Sequence, residues 1–233
     1  MIKKAMILAA GLGKRLRPLT LKIPKALIEI NQKALILYHL EKLKSIGVEE
    51  VVINLHYHGE MIKSFLGDGT FLGIQILYSE ESEVLETGGG IKKALPFFGA
   101  EPFICVNADV YTDFDFEALK RGLARNSLGN LVLVDNPAHN PAGDFSLDFE
   151  GKLLPPGPAR FLNFTFSGIS VLSPQLFRGF PDSKFRLVDV FLNAIPLGLL
   201  TGLKYDGRWY DVGTPERLNK LRQEFGNLTG KKN

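Results

Sequence analysis

Ala5-Met6-Ile7-Leu8-Ala9-Ala10-Gly11-Leu12-Gly13-Lys14-Arg15-Leu16-Arg17-Pro18-Leu19-Thr20-Leu21-Lys22-Ile23-Pro24-Lys25 is the stretch around which the chain is organised. The apolar run Ala5–Ala10 has the length of a buried strand. Gly11 and Gly13 mark where that strand ends and the backbone turns. Lys14, Arg15, Arg17, Lys22 and Lys25 follow with no acidic residue among them. A strand that runs into a glycine turn and then into cations is built to meet a strongly anionic group. Polyphosphate is the natural candidate, because glycine lets backbone N–H groups approach phosphate oxygens while Arg and Lys neutralise them. Two better-known phosphate loops do not fit: a dinucleotide fingerprint needs a third glycine where Leu16 stands, and a P-loop needs Ser or Thr where Arg15 follows Lys14.

Bulk properties narrow the setting. A chain of 233 residues has ample material for a core, and 45% apolar with 23% charged residues is ordinary for a globular protein. The net charge of +3 is too weak to argue for nucleic acid; the positive charge gathers in the first loop and at Lys231-Lys232. One cysteine, Cys105 in the apolar run Phe103–Val106, excludes an internal disulfide and fits a reducing cytoplasm. No apolar stretch is long enough for a membrane span or a secretion signal. The expectation is a cytoplasmic protein with no membrane and no nucleic-acid partner.

Along the first 135 or so residues strands and helices alternate. Glu50–Leu55, Gly73–Tyr78, Phe103–Val106 and Leu131–Val134 read as strands, with a further short strand at Leu27–Ile30. Ala34–Ile46, Glu60–Leu66, Ile91–Leu95 and Phe116–Ala124 read as helices. This order argues for βαβ units: an α/β fold with a mostly parallel sheet covered on both faces. From about residue 136 the pattern changes. Phe145, Leu147 and Phe149 alternate with polar residues before the Glu150-Gly151 turn and Lys152–Leu154, which reads as a hairpin. Pro155–Pro158 is a stiff connector, Asn163–Leu172 a long strand, and Ser173-Pro174 the cap and first residue of a helix. Leu187–Ile195 is another helix, two strands lie near Leu200–Tyr205 and Arg208–Val212, and Thr214-Pro215 open a closing helix. The reading is one domain over 1–233 with two halves, about 1–135 and about 136–233, the second ligand-facing and partly antiparallel.

In an open parallel sheet, ligands bind beyond the carboxyl ends of the strands. The Gly11–Lys25 loop falls there. So does Asn107-Ala108-Asp109, after the Phe103–Val106 strand, and so does Asp211 within Trp209–Pro215. Either aspartate alone could merely satisfy backbone donors. Two carboxylates facing five cations suit Mg²⁺, a hard cation held by one or two carboxylates and completed by phosphate and water.

Leu8–Thr20 with Pro24-Lys25 resembles the signature of sugar-1-phosphate nucleotidylyltransferases, and Asn107-Ala108-Asp109 and Trp209–Pro215 resemble that family's two metal motifs. Leu85–Gly90, Val132–Pro137, Gly143–Phe145 and Thr165–Leu172 are similar to the branch that uridylylates N-acetylmuramic acid α-1-phosphate in cell-wall recycling. The resemblance implies a three-layer αβα sandwich with a Rossmann-like mixed sheet, of the nucleotide-diphospho-sugar transferase type. It implies Mg²⁺-dependent transfer of UMP from UTP to the sugar phosphate, with release of pyrophosphate. Gly11, Leu12, Gly13, Lys14, Thr87 and Gly88 then hold the nucleotide. Arg15 lies along the triphosphate, Lys25 reaches the incoming or α-phosphate, and Asp109 and Asp211 hold the metal. The attacking phosphate oxygen is already ionised near neutral pH, so no general base is required, and His39, His56, His58 and His139 are left to structure or surface.

The family reads its base five positions before the residue preceding the Thr of its Leu-x-Thr-Gly motif, which is Glu81 here, with Glu80 and Glu83 as neighbouring alternatives. A carboxylate accepts the N3–H of uracil or the N1–H and N2–H of guanine, and offers no donor to cytosine N3. UTP, dTTP and GTP therefore remain open on chemistry, and the branch resemblance favours UTP. Many relatives bind the sugar phosphate through a Glu-Lys-Pro triplet. The stretch Pro155–Asn163 lacks it, and Lys25 or Arg160 stands in its place. Asn107, Gly143, Asp144 and Thr165 are the candidates for the sugar. A monomer and a homodimer both remain open. A guanylyl- or thymidylyltransferase on another hexose phosphate is the alternative within the family, and a nucleotide-sugar-binding regulator the alternative outside it.

Overall fold

The computed structural model describes residues 1–157 and 162–229. Pro158, Arg160 and Lys231-Lys232 lie outside the described residues. The strand predicted from Ala5 is β1 (Lys4–Leu8). A small hairpin, β2 (Glu29–Ile30) and β3 (Lys33–Ala34), leads into α1 (Leu35–Ser45). Then follow β4 (Glu50–Leu55), α2 (Gly59–Leu66), β5 (Gln75–Glu80), α3 (Glu86–Ala94), β6 (Phe103–Asn107) and β7 (Val110–Thr112). The second half supplies β8 (Gly129–Val134), β9 (Phe145–Leu147), β10 (Leu153–Leu154), β11 (Asn163–Leu172), α4 (Leu187–Ala194), β12 (Leu200–Tyr205), β13 (Trp209–Asp211) and α5 (Pro215–Thr229).

One sheet runs through both halves. β1 pairs in parallel with β4 and β6, and β4 with β5. The ten-residue β11 then lies antiparallel to β6 on one side and to β8 on the other, and β8 carries β12 in parallel at the edge. The sheet is parallel around β1 and antiparallel around β11, as the change of pattern near residue 136 predicts. Alternation along the strands sends Ala5, Ile7, Val51, Ile53, Ile104 and Val106 into one core with Leu40, Leu43, Ile62 and Leu66 of α1 and α2. Met6, Val52, Phe103 and Cys105 point the other way, onto Ile91, Val190 and Phe191 of α3 and α4. Both faces of the central strands are apolar, which makes the fold a three-layer αβα sandwich.

Three local expectations are corrected. Phe116–Ala124 forms only a 3-10 turn, Phe116–Leu119. Gly122 at φ +78° and Asn126 at φ +65° interrupt a helix there, and Phe116 and Leu119 are the residues with a core to enter. Ser173 does cap, its hydroxyl accepting from the Gln175 N–H at 3.3 Å, but the element is a single 3-10 turn, Pro174–Phe177. α3 starts at Glu86 rather than Ile91, with Gly88, Gly89 and Gly90 inside it. A Cβ at Gly88 would collide with the Phe185 ring and one at Gly89 would stand 2.5 Å from the Ser183 carbonyl oxygen, so close packing against the approach to α4 overrides low helix propensity.

Cys105 is 2% exposed, and burial pushes its thiol pKa up to about 12. The thiolate is the reactive form, so native protein should resist a thiol-specific disulfide reagent and label fully after denaturation. Stoichiometric labelling of the native protein would contradict this packing of β6.

Candidate active site

The register of the central strands brings the site together. Leu8, the last residue of β1, pairs with Asn54 on one side and Asn107 on the other. Beyond this level lies a cleft of about 290 Å³, lined by Ala9–Gly11 and Gly13–Arg15 of the basic loop, Lys25, Asn54, Glu81, Val84, Glu86, Thr87, Asn107, Asp109 and Gly213. The segments converging there are those the strand-end argument selects.

The basic loop is pinned from beneath. Leu16 is 1% exposed and packs with Ile28, Ile30, Leu35, Val212, Leu218 and Leu221, a small core shared with α5. Gly13 adopts φ +60°, its carbonyl accepting from the Leu16 N–H at 2.9 Å and the Thr20 hydroxyl at 2.8 Å. A Cβ there would stand 2.7 Å from Thr20 Cγ2, so this turn requires glycine. Anchoring Leu16 leaves Lys14 and Arg15 exposed, and neither side chain has an ion-pair partner among the described residues. The backbone N–H groups of Gly11, Leu12 and Gly13 likewise have no protein acceptor among the described residues. Donors left open beside free cations are what an anionic ligand needs.

Asp109 follows β6. Ala108 N–H donates to the Leu8 carbonyl at 3.1 Å, and the Asp109 carbonyl accepts from Val212 N–H at 2.8 Å. Those two bonds fix the segment between β1 and β13. One Asp109 oxygen, Oδ2, receives the Lys25 ammonium. Asp211 ends β13, directly opposite Val110 of β7, so the two aspartates sit on neighbouring ends of one antiparallel pair. Arg217 Nη1 lies 3.1 Å from Asp211 Oδ2, and His139 Nε2 lies 3.6 Å from the same oxygen. Gly213 makes room for the guanidinium, since a Cβ there would collide with Arg217 Nη2. Partial burial and the nearby Arg217 charge hold the His139 pKa below its usual value, against the pull of Asp211.

A divalent cation fits these donors. Asp211 Oδ1 is buried without a hydrogen-bond partner, and Lys25 engages Asp109 through Oδ2, so each carboxylate keeps an uncommitted oxygen. No group of three or more His, Cys, Asp or Glu that could hold a metal exists among the described residues. The pair suits an ion that completes its shell with phosphate oxygens and water.

Other expected residues are distributed unevenly. Glu81 lines the cleft at 5% exposure, more buried than a residue awaiting a ligand from an acidic surface loop. Thr87 lines it as well, its hydroxyl accepting from the Leu187 N–H at 3.0 Å. Gly88 faces away, donating its N–H to the Phe185 carbonyl at 3.0 Å under the Phe185 ring. Leu12 is not among the residues lining the cleft, and its backbone N–H has no acceptor among the described residues. Of the sugar candidates, Asn107 lines the cleft, where Gly168 at φ +80° lets its side chain approach β11. Gly143, Asp144 and Thr165 lie off the cleft in a separate polar network. There Asn140 Nδ2 donates to Asp144 Oδ1 at 3.0 Å and to Thr165 Oγ1 at 3.1 Å, and the Thr165 hydroxyl donates to Asn136 Oδ1 at 2.9 Å. His139 belongs to the same loop and carries it up to Asp211. Sequence reasoning singles out neither Asn54 nor Arg217, and leaves to structure or surface the His139 that stands 3.6 Å from Asp211. The only signal for Arg217 was its place three residues after a helix cap, which reads as a solvated face.

The nucleotidyl transferase family matches residues 4–146 of this chain. Over 228 residues the chain is 43% identical to the N-acetylmuramate alpha-1-phosphate uridylyltransferase of Neisseria meningitidis serogroup B, covering 96% of this chain and 98% of that one. It is 31% identical over 218 residues to the D-glycero-alpha-D-manno-heptose 1-phosphate guanylyltransferase of Campylobacter jejuni, covering 91% and 96%. A solved UDP-glucose pyrophosphorylase in complex with UDP-glucose superposes with a TM-score of 0.80 over 97% of this chain and 99% of that one; at 18% identity this is a likeness of fold, the nucleotide-diphospho-sugar transferase fold.

Proposed function

This chain belongs to the nucleotidyl transferase family, and from that premise we propose that it transfers UMP from UTP to N-acetylmuramic acid α-1-phosphate, giving UDP-N-acetylmuramic acid and pyrophosphate. The coarser statement, a sugar-1-phosphate nucleotidyltransferase, follows from its relatives. The observation that carries the reading is the cleft itself, which gathers Gly11 and Gly13 of the loop with its open N–H groups, Arg15 with no ion-pair partner among the described residues, Lys25 and Asp109, while Asp211 stands opposite Val110, the residue after Asp109.

The reaction joins two polyanions, so the protein's task is alignment and charge compensation rather than covalent catalysis. The loop N–H groups cradle the triphosphate, and Arg15 lies along it to stabilise the departing pyrophosphate. Lys25, held toward the cleft by Asp109, reaches the α-phosphate or the phosphate that attacks it. The attacking oxygen needs no base, since phosphate monoesters lose their second proton near pH 6. Asp109 and Asp211 would hold Mg²⁺, which when bound neutralises phosphate charge and draws electron density from the reacting phosphorus. Glu81 accepts an N–H from the base, and Asn107 meets the sugar. His139 stands beside Asp211, and the Asn136–Thr165 network holds its loop from outside the cleft. Such a product places the protein in a cytoplasmic cell-wall recycling route; no helix among the described residues is long and apolar enough to cross a membrane.

The deciding experiment measures pyrophosphate release from each of four nucleoside triphosphates against a panel of hexose 1-phosphates, the muramic one included. Release is expected with UTP and the muramic phosphate, and not with CTP. Preference for GTP with a mannose or heptose phosphate would overturn both base and sugar, and Glu81 alone does not exclude it.

A further inference from the structure

Asn54, the last rung shared by β4 and β1, is 3% exposed, and both ends of its carboxamide are engaged. Its Oδ1 accepts the Ala9 N–H at 2.8 Å, and its Nδ2 donates to Glu81 Oε1 at 2.7 Å. Only one orientation of the amide satisfies both, because a backbone N–H can only donate and an ionised carboxylate can only accept. The other Glu81 oxygen accepts the Leu85 N–H at 3.1 Å, and the Glu81 carbonyl lies 2.9 Å from His56 Nδ1. No cation pairs with this buried carboxylate among the described residues; two neutral donors hold it. Gly90 of α3 keeps the space, since a Cβ there would stand 2.6 Å from Glu81 Oε1 and 2.8 Å from Asn54 Nδ2.

We propose that Asn54 is the positioning residue for nucleotide recognition. It ties the first residue of the phosphate loop to the carboxylate that meets the base, and so sets the distance between the two subsites. The proposal rests on the reading of Glu81 as the base-facing acceptor. A plain structural role accounts for the bond to Ala9, where the side chain substitutes for a ladder bond at a strand end. It does not account for the bond to Glu81, which lies in the cleft wall and serves no ladder. A carboxylate buried without a counter-cation stays in place only while its donors do. If the Asn54 donor is lost, the acceptor edge offered to the base shifts while the sugar side is untouched.

Asn54→Asp separates the two bonds. The isosteric carboxylate keeps an oxygen for the Ala9 N–H and sets an acceptor against Glu81. UTP affinity by calorimetry and KM for UTP should both weaken about 10- to 100-fold, with KM for the sugar 1-phosphate within about twofold. Adding Glu81→Gln reverses donor and acceptor, and should return UTP affinity to within about fivefold of the parent protein. Asn54→Ser, which keeps the volume small and cannot span both partners, should show the same split, so the result does not hang on one variant folding. Equal losses in both KM values, or additive losses when Asn54→Asp and Glu81→Gln are combined, would make Asn54 a strand-end hook and overturn the proposal. A parent protein that binds UTP yet transfers to no sugar phosphate would sink the functional reading alone, since the calorimetric arm still decides the role of Asn54.

Discussion

Asp109→Asn should cut kcat by about 10³-fold or more, roughly 4 kcal/mol of transition-state stabilisation, with the fold intact. The stability side follows from the local geometry. Asp109 and Lys25 form an ion pair with side chains 29% and 15% exposed, so the lost pairing also destabilises, by on the order of 1–3 kcal/mol, and Tm should fall by several degrees while unfolding stays cooperative. The amide keeps shape and one oxygen while removing the charge that a hard cation and Lys25 both require. Asp211→Asn tests the same chemistry less cleanly. Its partner Arg217 has three guanidinium nitrogens buried without a hydrogen-bond partner, so removing Asp211 strands a buried charge, at a cost of about 3–5 kcal/mol by analogy with other buried pairs. A loss of activity there would mix chemistry with stability. Near-normal turnover by Asp109→Asn at saturating Mg²⁺ would remove it from the reaction centre.

How much of this could be read from the chain depended on whether the information was local. The loop could be read because its meaning lies in residue type and order: an apolar strand, glycines where the backbone turns, then cations with no acids. α3 was misjudged at its start because Gly88–Gly90 argue against a helix on propensity, and only the distant Phe185 and Ser183 explain why side chains are forbidden there. Asn54 reads as a polar slip inside Val51–Leu55; its purpose appears only when β1 and the Glu81 loop are placed beside it. Arg217 fails for the same reason, since its partner Asp211 is reached through a strand pairing with β7 that no periodicity announces. Gly143, Asp144 and Thr165 read as sugar contacts beside Asn107, but Asp144 and Thr165 share Asn140 as a partner and none of the three lines the cleft.

Arg15→Ala carries the second large expected effect, a fall in kcat of about 10²- to 10³-fold. The residue follows the Gly13 turn, is exposed, and its side chain has no hydrogen bond or ion pair among the described residues, while Leu16 beside it anchors the loop. Truncation therefore removes no packing and no pair, and Tm should not change measurably. Charge is what is lost. A unit charge about 4 Å from a phosphate oxygen is worth about 4 kcal/mol at an effective dielectric near 20, enough to account for the expected fall. The decisive question is when that energy is realised. If Arg15 meets the leaving pyrophosphate, its contribution grows as negative charge moves onto the departing oxygens, so kcat falls more than KM for UTP rises. Arg15→Lys should recover only part of the rate, because a compact ammonium keeps the charge and loses the planar fork that spans two phosphate oxygens. A rise in KM with kcat unchanged would show that Arg15 grips the triphosphate equally before and during reaction, and the compensation of leaving-group charge would then fall to Lys25 and the carboxylate-bound cation.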